Sequence, residues 1–330
     1  MVLASIGSFF DSVGEFFANL ARVDWLVLIL GLTLFGIYLA LRSRAWFNVL
    51  RAAYPDERFE WRRVWGAYMA AYGFNNVVPA RGGDVMKMFL TKTSIPHSSY
   101  PAVGSSMFVE SIYDLVIAVP VLAFAFSQGA FPKLPDFPEL GAFELSFLAE
   151  HPKGTLFGLT VLGVLVFVLF ALLSARVRAF WERVRQGFAI LGDRRRYLRE
   201  VFAVQFAGWL FRFAAFWCLL EAFGVGGSVR NVLLVLGVNA IAALLPFTPG
   251  GAGVQQALLV KVFGGSSVVA AYSVGQQIAI GAFSLAVGFV ALITIFNFRS
   301  FREAIASGKA ARGDDGRPAR RDPGAPRARA

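Results

Sequence analysis

Cysteine occurs once in the 330 residues and histidine twice. Cys218 therefore has no intrachain disulfide partner, and a Cys-based metal cluster is excluded. His97 and His151 fall in predicted connectors with no further ligands beside them, so the sequence offers no metal site. Charged residues make up 16% of the chain against 57% hydrophobic ones, and the mean hydropathy is +0.60. A soluble domain of this length needs far more polar surface. There is no GxxxxGK[ST] phosphate loop, no HExxH and no nucleophile elbow. On this reading the chain hydrolyses no ATP, needs no cofactor and is not an enzyme. The first twenty residues are broken by Asp11, Glu15 and Asn19 and lack a basic start, so no cleavable signal peptide is expected.

The hydrophobic excess is clustered into long apolar stretches, the pattern of a polytopic all-α membrane protein. The net charge of +11 sits at the ends of those stretches and in the last thirty residues. It reads as cytoplasmic anchoring to anionic lipid, not as a nucleic-acid surface. Residues 1–22 place Ile6, Phe9, Phe10, Val13, Phe17 and Leu20 at helical spacing, which predicts an interfacial amphipathic helix. Residues 23–298 form the expected transmembrane domain, and 299–330, rich in Arg, Pro, Gly and Ala, a disordered basic cytoplasmic tail.

A crossing needs about 20 residues at 1.5 Å rise for a core of about 30 Å. Five full spans are expected near Trp25 to Leu41, Ala102 to Phe126, Thr155 to Ser174, Val201 to Phe223 and Val268 to Phe296. Arg42, Arg44, Arg51, Arg58, Arg62 and Arg63 follow the first span and a second basic run follows the third, so both connectors are expected inside. The acidic, Pro-rich connector from Ser127 to Lys153 is expected outside. The N-terminus then lies outside and the C-terminus in the cytoplasm.

Two apolar segments are broken. Val64 to Val78 runs into Pro79-Ala80-Arg81-Gly82-Gly83-Asp84, and Val232 to Leu245 runs into Pro246-Phe247-Thr248-Pro249-Gly250-Gly251-Ala252-Gly253. The orientation requires the first to enter and leave on the inside, the second on the outside. Each is expected to be a re-entrant helical hairpin. The order span, hairpin, span then occurs twice, at 25–126 and 201–296, with opposite orientation, and 155–174 is the inverting connector. Inverted repeats with broken helices are a design of secondary transporters.

The polar residues at these breaks are the candidate substrate-binding set. Arg81 at a Gly82-Gly83 turn offers a planar fork suited to a phosphate, with Asp84 as its alternative partner. The glycines permit close backbone approach, and the returning half-helix presents N–H groups to an anion. Glu110 and Asp114 are four residues apart and share a helix face. Two carboxylates there repel unless protonated or met by cations. Arg81, Lys87 and Arg212 are candidates for those cations; binding a cationic headgroup, carrying a coupling proton and building a structural ion-pair network remain open roles. Arg212, close to Trp209 and Trp217, requires a carboxylate from Glu110, Asp114 or Glu221. Asn75 and Asn76 before the first turn, and Gln255 and Gln256 after the second, either cap freed backbone groups or line a headgroup path. Pro249, Gly250, Gly251 and Gly253 form the second tip.

The run Asn75 to Asp84, then Glu110 and Asp114, then Pro246 to Gly253 resembles the flippase-like family named for the transmembrane region of lysylphosphatidylglycerol synthase. The resemblance covers about Trp25 to Phe298. It implies a protein tied to moving lipids or lipid-linked groups across the bilayer. The bifunctional synthases of that family carry a soluble aminoacyl-transferase domain that this sequence does not show, so synthase activity is not implied. The expected function is a lipid translocase acting on phosphate-containing headgroups. The alternatives are a membrane-embedded headgroup transferase, with Glu110, Asp114 or Asp84 as general base, and a structural partner of a separately encoded lipid-modifying enzyme.

Overall fold

The structure is a computed structural model that describes residues 22–76, 82–128, 180–242 and 253–297. The expected interfacial helix, the connector span Thr155 to Ser174, the tail, and the Arg81 and Pro249-Gly250-Gly251 turn residues lie outside the described residues. Every helix or strand among the described residues is helical. Among the described residues, four helices are long and apolar enough to cross a membrane.

The first is α1, Trp25–Ala53. The carboxylate of Asp24 caps it, accepting from the backbone N–H groups of Leu26 at 3.0 Å and Val27 at 3.1 Å. It extends well beyond Leu41, so Arg42, Arg44 and Arg51 are helical residues and not members of a connector. Helices α2, Trp61–Asn75, and α3, Gly82–Ser94, pack against each other across a short break. Their approach is close: a Cβ on Gly83 would stand 2.1 Å from the Ala71 carbonyl oxygen. The crossing helix α4, Tyr100–Ser127, is capped by Ser99 and carries Pro120 in its interior. Proline there withholds one intrahelical hydrogen bond.

The second set begins with α5, Arg194–Ala222, which includes a π-helical turn at Leu198–Phe202. The amide of Asn48 in α1 donates to the Glu200 carbonyl within that turn at 2.7 Å. Short helices α6, Val229–Ala242, and α7, Val254–Phe263, precede the crossing helix α8, Ser267–Phe296. Ser266 caps α8, and Asn297 ends it in the left-handed conformation at φ 58°.

Small residues let the helices approach. At the α2–α8 contact, Gly73 lies against the Ser284 backbone and Gly288 against the Met69 carbonyl, each closer than a Cβ would permit. Large apolar side chains such as Leu26, Phe108, Leu115, Leu210, Ile278 and Val290 are exposed along the crossing helices, where lipid takes the place of water.

The packing partners follow a regular exchange. If α1, α2, α3 and α4 are traded for α5, α6, α7 and α8, the α2–α8 contact becomes α6–α4, and α1–α4 becomes α5–α8. Likewise α1–α2 becomes α5–α6, α2–α3 becomes α6–α7, and α3–α4 becomes α7–α8. All of these contacts are present, and α1–α5 maps onto itself. The α1–α8 contact has as its counterpart the seam between α4 and α5.

Candidate functional site

Glu110 and Asp114 lie ten and fourteen residues into α4, about 15 and 21 Å from its start at 1.5 Å per residue. That depth is well inside a bilayer, where a lone carboxylate is costly. Both find cations, and the principal one is Arg42. Its Nε donates to Glu110 Oε1 at 2.9 Å, while Nη1 and Nη2 reach the two oxygens of Asp114 at 2.7 Å each. Nη1 also donates to the Tyr38 hydroxyl at 3.2 Å. This planar fork on a carboxylate is the geometry a lysine cannot reproduce.

Glu110 is almost fully buried and has two further partners. Lys87 Nζ stands 2.8 Å from Oε2, and the Tyr68 hydroxyl donates to Oε1 at 2.7 Å. The ammonium also lies over the rings of Trp46 and Tyr68, at 4.0 and 4.2 Å from their centroids. Helices α1, α2, α3 and α4 thus meet at one neutral group of two cations and two anions. The expected pairing of Lys87 with Glu110 is present. The pairing of Arg212 with a carboxylate is not, because Arg42 holds Asp114 first and shares Glu110 with Lys87. Arg42 had read as a cytoplasmic anchor because five other arginines follow it closely. Its partners are 68 and 72 residues away, and no local signal marks them.

Arg212 instead places its guanidinium 5.5 Å from the Tyr38 ring centroid and 5.8 Å from that of Phe216. Its Nε is buried with no hydrogen-bond partner, and among the described residues no carboxylate reaches it. It borders a cavity of about 510 Å³ lined from α1 by Tyr38 and Arg42, from α4 by Ser111 to Val121, from α5 by Gln205, Trp209 and Arg212, and from α6 by Leu236, Asn239 and Ala240. The cavity occupies the α4–α5 seam, the place where the exchange of packing partners is incomplete. Gln205 is 1% exposed, and both its amide oxygen and its amide nitrogen lack partners. Such a pair is rare in a finished interior.

The first break is clipped by an asparagine. Asn75 Oδ1 accepts from the Gly83 N–H at 2.7 Å, and its Nδ2 lies 3.3 Å from Asp84 Oδ1, so Asp84 is held by Asn75. Asn76 Nδ2 donates to the Tyr72 carbonyl at 2.9 Å and to Ser284 Oγ on α8 at 3.3 Å. The second break repeats the device, with Gln255 Nε2 donating to Asn239 Oδ1 at 2.7 Å. Gly253, at φ 85°, opens α7. Gly82 is the first residue of α3.

One polar contact also recurs in neutral form. Glu110 and Gln277 each stand eleven residues beyond the capping serine of their helix, Ser99 or Ser266. Glu110 meets Lys87 of α3, and Gln277 meets Gln256 of α7. The charge is confined to the first set of helices, so the ion-pair group does not join the two sets.

In comparison with known proteins, residues 1–293 fit the family described as "Lysylphosphatidylglycerol synthase TM region". No curated protein matches. No solved structure matches either.

Proposed function

We propose, from the premise that this chain belongs to the lysylphosphatidylglycerol synthase transmembrane-region family, that it moves a phosphate-bearing lipid headgroup across the cytoplasmic membrane without hydrolysing ATP. Membership makes it a multi-pass membrane protein linked to lipid headgroup handling. The observation that carries the finer reading is the cavity at the α4–α5 seam, where Arg212 Nε and both polar atoms of the Gln205 amide are buried without hydrogen-bond partners. A headgroup would pass there while its acyl chains remain in lipid beside the exposed Leu115 and Val119.

The exchange of packing partners supports an inverted repeat, in which α1 to α4 and α5 to α8 are the two units and the α2–α3 and α6–α7 pairs are re-entrant hairpins. The basic connectors support a cytoplasmic C-terminus and an outside N-terminus. A transferase using Glu110 or Asp114 as general base is disfavoured, because each carboxylate already holds a cation and Glu110 also holds the Tyr68 hydroxyl. The test is purified protein in liposomes with a headgroup-labelled phospholipid and no cofactor. Exchange between leaflets well above that of protein-free vesicles is expected. Exchange no faster than in those vesicles, or product formed only with an added donor, would reject translocation.

A further inference from the structure

Three charged residues line the α4–α5 cavity: Arg42, Asp114 and Arg212. Arg42 spends its fork on both oxygens of Asp114 and its Nε on Glu110, and Lys87 balances the remaining charge of Glu110. Both carboxylates are therefore neutralised, and the ion-pair group offers an incoming ammonium no net negative charge. The charge left without a counterpart is positive and belongs to Arg212, whose Nε is buried and unpaired.

We infer that this cavity is a binding site for a phosphodiester monoanion, and that it selects a headgroup of net negative charge over the aminoacylated, net positive form of the same lipid. The inference rests on the translocation reading for its lipid, and adds the charge and the residues. A phosphodiester keeps one negative charge throughout the physiological pH range and offers two oxygens to the guanidinium fork. Gln205 completes the fit, since its free Nε2 donates to a phosphate oxygen and its free Oε1 accepts from a hydroxyl beyond the phosphate. Trp209 and Tyr38 give the site aromatic walls, and its 510 Å³ admits a headgroup without its acyl chains.

The experiment uses the full chain in neutral detergent, with lipid binding followed by native mass spectrometry. The probes are dioleoylphosphatidylglycerol, its lysyl ester, dioleoylglycerol, and the soluble diester glycerophosphoglycerol. The wild type should hold phosphatidylglycerol about tenfold or more tighter than the lysyl ester or dioleoylglycerol. Arg212→Gln should erase that preference while leaving the melting temperature without lipid unchanged or higher, because it removes an unpaired charge. Gln205→Leu, which keeps every charge, should weaken phosphatidylglycerol binding alone. Equal or tighter binding of the lysyl ester, or a preference that survives Arg212→Gln, would overturn the inference, as would a lower melting temperature of Arg212→Gln with lipid selectivity intact in Gln205→Leu. Competition by glycerophosphoglycerol as strong as that of the lipid would support the anion site and assign it to a soluble diester. A wild type that binds phosphatidylglycerol yet moves none in liposomes would leave the site standing and remove the translocation reading.

Discussion

Arg42→Gln is the most informative single change. It withdraws the cation shared by Glu110 and Asp114 and leaves Lys87 to neutralise one of two carboxylates. The two ends of the pair differ in worth. Glu110 is 4% exposed but keeps Lys87 and the Tyr68 hydroxyl, so it loses one charge-assisted hydrogen bond, about 1.5–3 kcal/mol, and is not stranded. The Asp114 side chain is 45% exposed, so its share is screened and closer to the exposed-pair value of about 0–1 kcal/mol. The loss should therefore be about 2–4 kcal/mol for Arg42→Gln, and about 1 kcal/mol for Asp114→Asn, which leaves Arg42 on Glu110. The double variant, Arg42→Gln with Asp114→Asn, removes the carboxylate left without a cation and keeps the buried Lys87–Glu110 pair, so it should match Arg42→Gln or exceed it by up to about 1 kcal/mol. Adding Glu110→Gln and Lys87→Met removes all four charges of the group and should recover most of the stability, as expected when a whole buried ionic group is replaced. Reversible unfolding in mixed micelles, followed by tryptophan fluorescence, measures each step. If Arg42→Gln is as stable as the wild type, or the quadruple variant is no better than the single one, the ionic group does not hold the four helices together.

Tyr68→Phe removes only the hydroxyl that donates to Glu110 at 2.7 Å and should cost about 1.5–3 kcal/mol in the same assay; no change would show that water replaces it. Gly83→Ala sets a Cβ against the Ala71 carbonyl and should destabilise by about 1–3 kcal/mol, whereas Gly104→Ala, with only the Met88 side chain at 3.7 Å, should be neutral; equal effects would refute the close α2–α3 approach. In a background lacking Cys218, cysteines at the exposed positions Asp56 and His97 should both label from the cytoplasmic side, and those at Arg230 and Gly265 from the outside. Labelling of His97→Cys from the outside alone would make α2 and α3 part of a crossing and end the hairpin reading.

The sequence by itself determined the class of protein and most of the helices. Apolar runs long enough for a bilayer survive any context, because no buried alternative to helical hydrogen bonding exists in lipid. The spans at Ala102 to Phe126, Val201 to Phe223 and Val268 to Phe296 therefore correspond closely to α4, α5 and α8. The breaks before Gly82 and before Gly253 were legible for a related reason, since proline disrupts a helix locally, although Gly82 and Gly83 themselves are helical residues of α3. The carboxylate pair Glu110 and Asp114 was visible from its four-residue spacing alone, and so was the need for cations.

Which cation answers was decided by the tertiary structure. Position 42 belongs, in sequence, to a run of arginines that anchors to lipid heads, and only the continuation of α1 to Ala53 carries it inside against α4. Arg212 was legible as a buried charge in want of a carboxylate, yet Arg42 reaches those oxygens first and leaves it facing the α4–α5 cavity. Local pattern fixes which residues are helical and which faces are polar. Pairing among groups 68 or more residues apart depends on how the helices pack, and that arrangement gives Arg42 its partners and leaves Arg212 without one.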